Sequence, residues 1–90
     1  MEWQGRYTFH MGKEYTVDEI AAARSLTRNP AACRAIRVAA DVSLNEMARS
    51  GVDCSPAALS RWERGLRRPG SAYAVAWARA LRRLMQQGTA

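Results

Sequence analysis

The sequence predicts an all-α domain of five short helices, preceded by a strand-like N-terminal segment. Two observations favour this fold class. Residues that cap helix starts recur at short intervals, and the C-terminal segment repeats apolar residues with helical spacing. A length of 90 residues has room for one domain with a modest core, so the predicted helices must pack on one another.

The N-terminal segment alternates polar and apolar residues over 6–11, which is the period of a half-buried strand, and Gly12 and Lys13 then read as a turn. No later segment reads clearly as a partner strand, so this strand needs another edge. One hypothesis is antiparallel pairing with the same segment of a second copy, giving a twofold homodimer. The alternatives are a flexible arm and a strand folded on the chain's own helices.

Two helices are predicted next, each from its start signal. Thr16 and Glu19 form a capping box that opens a helix over 16–26. Asn29 before Pro30 supplies a cap and a first-turn proline, which predicts a second helix to about residue 40. We therefore divide the chain into an N-terminal extension (1–29), a domain (30–86) and a tail (87–90).

The third and fourth helices are short and lie close together. A capping box at Ser43 opens a helix over 44–50, which Gly51 can end in a left-handed conformation. A turn over 51–54 follows. Ser55 before a proline then opens a helix over 55–64, and Gly65 stops it.

The last helix is predicted from about Ser71 to Gln86 because its apolar residues form one stripe. The stripe consists of Ala74, Trp77, Ala78, Leu81 and Met85. The arginines at 79, 82 and 83 lie on the opposite, exposed side.

The charge distribution favours an anionic partner. The formal net charge is +6, and the sequence from Arg28 onward contains eleven basic and four acidic residues. Thirteen of the fourteen cations are arginine, whose guanidinium fork bonds phosphates and guanine edges bidentately. The alternative is a basic surface that only aids solubility.

The sequence lacks the residue patterns that are typical of membrane proteins, secreted proteins, zinc proteins and enzymes. No apolar run reaches the length of a membrane span and the N-terminus has no signal-peptide pattern, so we expect a cytoplasmic protein. Two cysteines and His10 complete no zinc set, and we expect reduced core thiols. Because no catalytic set or glycine-rich phosphate loop is found, we expect no enzyme activity, no metal, no cofactor and no small-molecule ligand.

Helices 44–50 and 55–64, separated by a turn that contains glycine, form the unit whose second helix enters DNA. The residues of 33–37, 42–48 and Ser55–Gly65, with Pro69, closely resemble the Cro/phage-repressor (XRE) family of helix-turn-helix regulators. The stretch from Ser60 to Gly65 with Pro69 is the most diagnostic. The resemblance covers about residues 33–84 and implies a five-helix lambda-repressor-like domain.

That resemblance also implies a function. The expected role is a sequence-specific double-stranded DNA-binding transcriptional regulator, a repressor of phage or mobile-element type acting at the nucleoid. The runner-up is an antitoxin-like interaction module whose DNA binding is secondary. The family's second helix presents its outward side chains to base edges. Carried over by position, the base readers are Pro56, Ala57, Ser60 and Arg61.

Helix periodicity supports this face, because Ala58, Leu59 and Trp62 form a buried stripe opposite it. Arg61 is the strongest base reader, since it can bond guanine O6 and N7 together. The alternatives for Arg61 are a phosphate contact and a solvated surface. The resemblance further implies DNA backbone contacts from Ser43, Leu44, Asn45, Ser55, Arg64, Arg67 and Arg68.

The sequence departs from the family pattern at two places. Leu44 stands where the family often has glutamine, so Ser43 and Asn45 are expected to substitute for that contact. The spacing between Ala48 and Trp62 is one residue longer than usual, which alters the angle of the reading helix.

Arg37 and Glu63 match family positions that pair, so we predict a partly buried structural ion pair; the alternative is an exposed pair of little energetic value. Trp62 and Trp77 could stack on bases, but helical spacing favours core packing. The other predicted core residues are Ile36, Val42, Met47, Ala48, Cys54, Ala58, Leu59, Leu81 and Leu84.

Overall fold

A computed structural model describes residues 6–8 and 14–87, and it confirms the all-α class. Strands β1 (Arg6–Thr8) and β2 (Glu14–Thr16) precede the helices. The helices are α1 (Val17–Leu26), α2 (Pro30–Ala39), α3 (Leu44–Glu46, continued by a π-helix over Met47–Val52), α4 (Pro56–Glu63) and α5 (Ser71–Gln87). The rest of the predicted strand, the turn at Gly12 and Lys13, and most of the predicted tail lie outside these residues.

The two strands form an antiparallel hairpin, in which Tyr7 pairs with Tyr15 and Arg6 with Thr16. The expectation that β1 has no partner strand in its own chain was therefore wrong. β2 has only three residues, and its last one, Thr16, is also the N-cap of α1, so the helix signal hid the strand. The main argument for a homodimer through this segment was the missing partner strand, and that argument no longer holds. The homodimer stays a prediction.

Side-chain caps start the first four helices where the sequence predicts them. In each case the cap's side-chain oxygen accepts a hydrogen bond from the backbone N–H three residues later, which satisfies one of the unpaired donors of the first turn. The pairs are Thr16 with Glu19 (3.0 Å), Asn29 with Ala32 (3.2 Å), Ser43 with Glu46 (3.0 Å) and Ser55 with Ala58 (3.1 Å).

The end of the third helix differs from the prediction. Gly51 lies inside the π-helix, and Asp53 instead takes the left-handed conformation (φ 65°). The amide of Cys54 then donates to the carbonyl of Ala48 over 2.9 Å and closes the turn. A π-helical turn holds one residue more than an α-helical turn. The additional residue between Ala48 and Trp62 is thus accommodated within the helix.

The core consists of two clusters that meet on α5. The first cluster has Leu59, Trp77 and Leu81 fully buried at its centre. The other predicted core residues are buried (Met47, Ala48, Trp62) or half-buried against it (Ile36, Val42, Cys54, Ala58, Leu84). Trp62 and Trp77 therefore pack in the core as predicted, with ring centroids 5.7 Å apart.

The second cluster joins the N-terminal extension to α5. Its buried members are Tyr15, Ala23, Ala74, Val75 and Ala78. The guanidinium of Arg79 lies over the Tyr15 ring, 5.3 Å from its centroid, and also pairs with Glu19 on α1. Met85, predicted to belong to the buried stripe, is 39% exposed, although its neighbour Leu84 packs against the first cluster.

Candidate nucleic-acid interface

One face of α4 is buried and the other is free. Leu59, Trp62 and Glu63 are buried, whereas Ala57 and Arg61 are exposed. Pro56 and Ser60 are half-buried beside them. Positions i, i+1, i+4 and i+5 share a helix face, so the structure brings all four predicted base readers together on one ridge.

Arg61 stands over a shallow groove beside α4. The groove has a volume of about 300 Å³ and is also lined by Arg67, Arg68 and Tyr73. Within the part of the chain that the structure describes, no hydrogen bond or ion pair engages the Arg61 guanidinium. Its five donors are therefore available to an external acceptor.

The predicted backbone-contact residues lie at the ends of α3 and α4. Most are exposed: Ser43, Asn45, Ser55, Arg64, Arg67 and Arg68. Leu44 is the exception, because its side chain packs against the first core cluster. Only its backbone amide, on the first turn of α3, remains to meet a phosphate.

Four of these side chains already have local partners. The Ser43 and Ser55 hydroxyls accept the cap hydrogen bonds of α3 and α4, and each can still donate its own proton. The Asn45 side-chain oxygen accepts a hydrogen bond from Arg49 Nε over 3.1 Å, which places Arg49 beside it. Arg64 Nε donates to the Ser60 carbonyl over 3.4 Å, a long bond, and no described residue engages its terminal nitrogens. Gly65 ends α4 with φ 72° and turns the chain into the loop that carries Arg67 and Arg68.

Arg37 and Glu63 form a bidentate ion pair beneath α4. Arg37 Nε and a terminal nitrogen donate to the two carboxylate oxygens over 2.7 and 3.0 Å. The other terminal nitrogen donates to the Val42 carbonyl over 2.8 Å. The side chains are 10% and 3% exposed. Hydrogen bonding to Glu63 raises the pKa of Arg37 against the opposing effect of burial. The acid within the basic surface is thus neutralised and does not repel phosphate.

The two cysteines lie in or beside the core as thiols. Burial, reinforced by the charge of Glu63, raises the pKa of Cys33 to about 11. Burial and then Asp53 raise the pKa of Cys54. Among the residues described, no group of three His, Cys, Asp or Glu could hold a metal ion, and no helix could span a membrane.

Several residues at this surface were missed by sequence reasoning. Tyr73 lies between the groove of Arg61 and a second groove at the start of α4, and its ring packs 5.5 Å from that of Trp62. Arg24 and Arg28 lie beside the loop of Arg67 and Arg68. Arg28 follows the end of α1, so helix periodicity could not place it beside Arg24, and the charge balance of the extension gave no signal either.

Comparison with known proteins agrees with this geometry. A family model described as helix-turn-helix matches residues 34–85, more than half of the chain. The match begins at α2, so α1 and the hairpin precede it. No curated protein and no solved structure matches the chain.

Proposed function

The chain belongs to the Cro/phage-repressor (XRE) family of helix-turn-helix DNA-binding transcription regulators, and we propose that it is a sequence-specific repressor of the phage or mobile-element type. In this proposal α4 lies in the major groove of a double-stranded operator. The observation that carries it is the outward ridge of α4, where Arg61 has no partner among the residues described.

The four residues of the ridge contribute unequally to base recognition. Arg61 bonds a guanine through O6 and N7, and Ser60 assists as a short donor or acceptor. Pro56 and Ala57 have no side-chain hydrogen-bonding group, so they contact a thymine methyl group. Base recognition therefore depends mainly on one arginine.

Affinity comes largely from the sugar-phosphate backbone. Arg64, Arg67 and Arg68 follow α4 and contact phosphates on one side. At the other side, the Ser43 and Ser55 hydroxyls, the Asn45 amide and the Leu44 backbone N–H meet a second stretch of phosphates. Arg49, held by Asn45, adds a cation there.

A binding-site selection on random duplex DNA tests the proposal. We expect an enriched site that contains a guanine. A palindrome with half-sites about one helical turn apart would indicate a dimer, and an asymmetric site a monomer. A selection that enriches no sequence would refute sequence-specific binding. A promoter fusion carrying the selected site should then lose expression when the protein is produced, whereas a gain would contradict repression.

The role of Arg61 is tested on the selected site and on a scrambled duplex. We expect Arg61→Ala to lower affinity for the selected site by about 5- to 150-fold, the equivalent of about 1–3 kcal/mol, and to lower scrambled-duplex affinity much less. Arg82→Ala is the matched control, because it removes the same charge on α5. Equal losses on both duplexes would show that Arg61 does not read a base.

A further inference from the structure

An open cleft lies on the side of the loop opposite α4. It has a volume of about 390 Å³ between the end of α1, the start of α2 and the loop after α4. Four arginines line it: Arg24, Arg28, Arg67 and Arg68. The remaining lining residues carry no charge, so nothing acidic on its wall balances these cations.

Three of the four cations have no partner among the described residues. Arg28, Arg67 and Arg68 are exposed and make no hydrogen bond or ion pair with the described part of the chain. Arg24 differs, because its terminal nitrogens donate to the Pro69 carbonyl (2.8 Å) and the Ser71 hydroxyl (3.3 Å). Arg24 thus connects α1 to the loop that forms the opposite wall of the cleft.

The cleft is continuous with the groove of Arg61. Arg67, Arg68 and Pro69 line both concavities, so the loop forms their common wall. A basic surface therefore extends from α4 across the loop to Arg28 at the end of α1. An anionic polymer that contacts Arg61 and follows this surface would reach Arg28 next.

Resting on the proposed function, we propose that Arg28, with Arg24 beside it, binds a backbone phosphate flanking the operator. A phosphodiester fits because it is anionic, and a guanidinium bonds its oxygens bidentately. Arg28 lies outside the matched residues 34–85. The N-terminal extension, through Arg28 just after α1, would thus lengthen the DNA footprint beyond that of the family's domain.

The test compares the full-length wild type with Arg28→Gln and Arg82→Gln. Arg82 is the matched control, since it carries the same charge, makes no hydrogen bond or ion pair with the described part of the chain and lies about 16 Å along α5 from its start. Binding is measured to the selected site with about one helical turn of flanking DNA on each side and to the same site trimmed of its flanks, from 50 to 200 mM salt.

We expect Arg28→Gln to weaken binding to the long duplex only. Losing one phosphate contact should lower the slope of log K against log salt by about 0.9, so the deficit should shrink about 3.5-fold over this salt range. Arg82→Gln should retain the wild-type slope. Equal slopes for the two variants, or an equal deficit on both duplexes, would overturn the proposal.

Two further readouts separate the alternatives. The first is the melting temperature with inorganic phosphate added at constant ionic strength. If phosphate stabilises the wild type but not Arg28→Gln, and both proteins bind the long duplex equally, then the cleft binds a free anion and the proposal is overturned. A selection that enriches no sequence would refute the repressor, whereas an Arg28→Gln deficit retained on random duplexes of the longer length would still support a phosphate contact by Arg28. Sequence preference without that deficit would refute the flank contact alone.

Discussion

The ion pair beneath α4 allows a quantitative prediction for Glu63→Gln. This change keeps the shape of the side chain but leaves the Arg37 guanidinium charged and unneutralised in a site where the two side chains are 10% and 3% exposed. Removing one partner of such a pair costs about 3–5 kcal/mol. A 90-residue domain has roughly 5–13 kcal/mol of stability in all. We therefore expect the melting temperature, followed by circular dichroism, to fall by at least about 12 °C.

The surface pair of Arg79 and Glu19 supplies the matched control, because its side chains are 50% and 29% exposed. Glu19→Gln removes the same kind of charge and should cost less than about 1 kcal/mol. A double replacement, Arg37→Met with Glu63→Leu, should regain much of the loss, since it leaves no buried charge unpaired. If Glu63→Gln and Glu19→Gln prove equally mild in urea unfolding, the argument from burial fails.

Three other predictions concern the backbone and the core. Gly65→Ala should lower the free energy of unfolding by about 1–2 kcal/mol, because φ at this position is 72°, which is left-handed, and the new Cβ would only touch Pro30 at 3.8 Å. Gly70→Ala is the control, because its Cβ meets nothing within 4 Å, and it should leave stability unchanged. Equal effects of the two changes would exclude backbone strain as the cause. Because burial raises the Cys33 pKa from 9.0 to about 11, the thiol holds its proton in the folded state after the unfolded chain has lost it. The free energy of unfolding should then be unaffected below pH 9 and fall by up to about 1.4 kcal/mol per pH unit toward pH 11, and an unchanged slope in Cys33→Ala would contradict this. Deleting the exposed Ser50 should convert the π-helix to an α-helix and leave a folded protein within roughly 1 kcal/mol of wild type, whereas loss of the cooperative thermal transition would show that the π-helix is required.

The helix starts were predictable because their chemistry is local. Each cap accepts from an amide only three residues away, so a window of four residues contains both the donor and the acceptor. The same local chemistry predicted the stop at Gly65. The Arg37–Glu63 pair spans 26 residues and was inferred from the family resemblance, because no periodicity links two such distant positions.

What the sequence did not reveal depends on packing between distant segments. Tyr15 is absent from the predicted core, yet it is 3% exposed because α5, with Arg79 on it, covers its ring. The left-handed residue is Asp53 rather than Gly51 because the additional residue lies within the π-helix, which extends the helix past Gly51. Met47 and Val52 are buried at the two ends of the π-helix, and of these two only Met47 was predicted to lie in the core.

The second core cluster limits how far the N-terminus of this protein can be truncated. Tyr15 and Ala23 cover the face of α5 formed by Ala74, Val75 and Ala78. A fragment cut at residue 30 would retain all of the matched helices but expose that small-residue face to water. A cut before residue 14 would keep the cover in place. The smallest self-sufficient version of this regulator is therefore longer than the motif by which it is recognised.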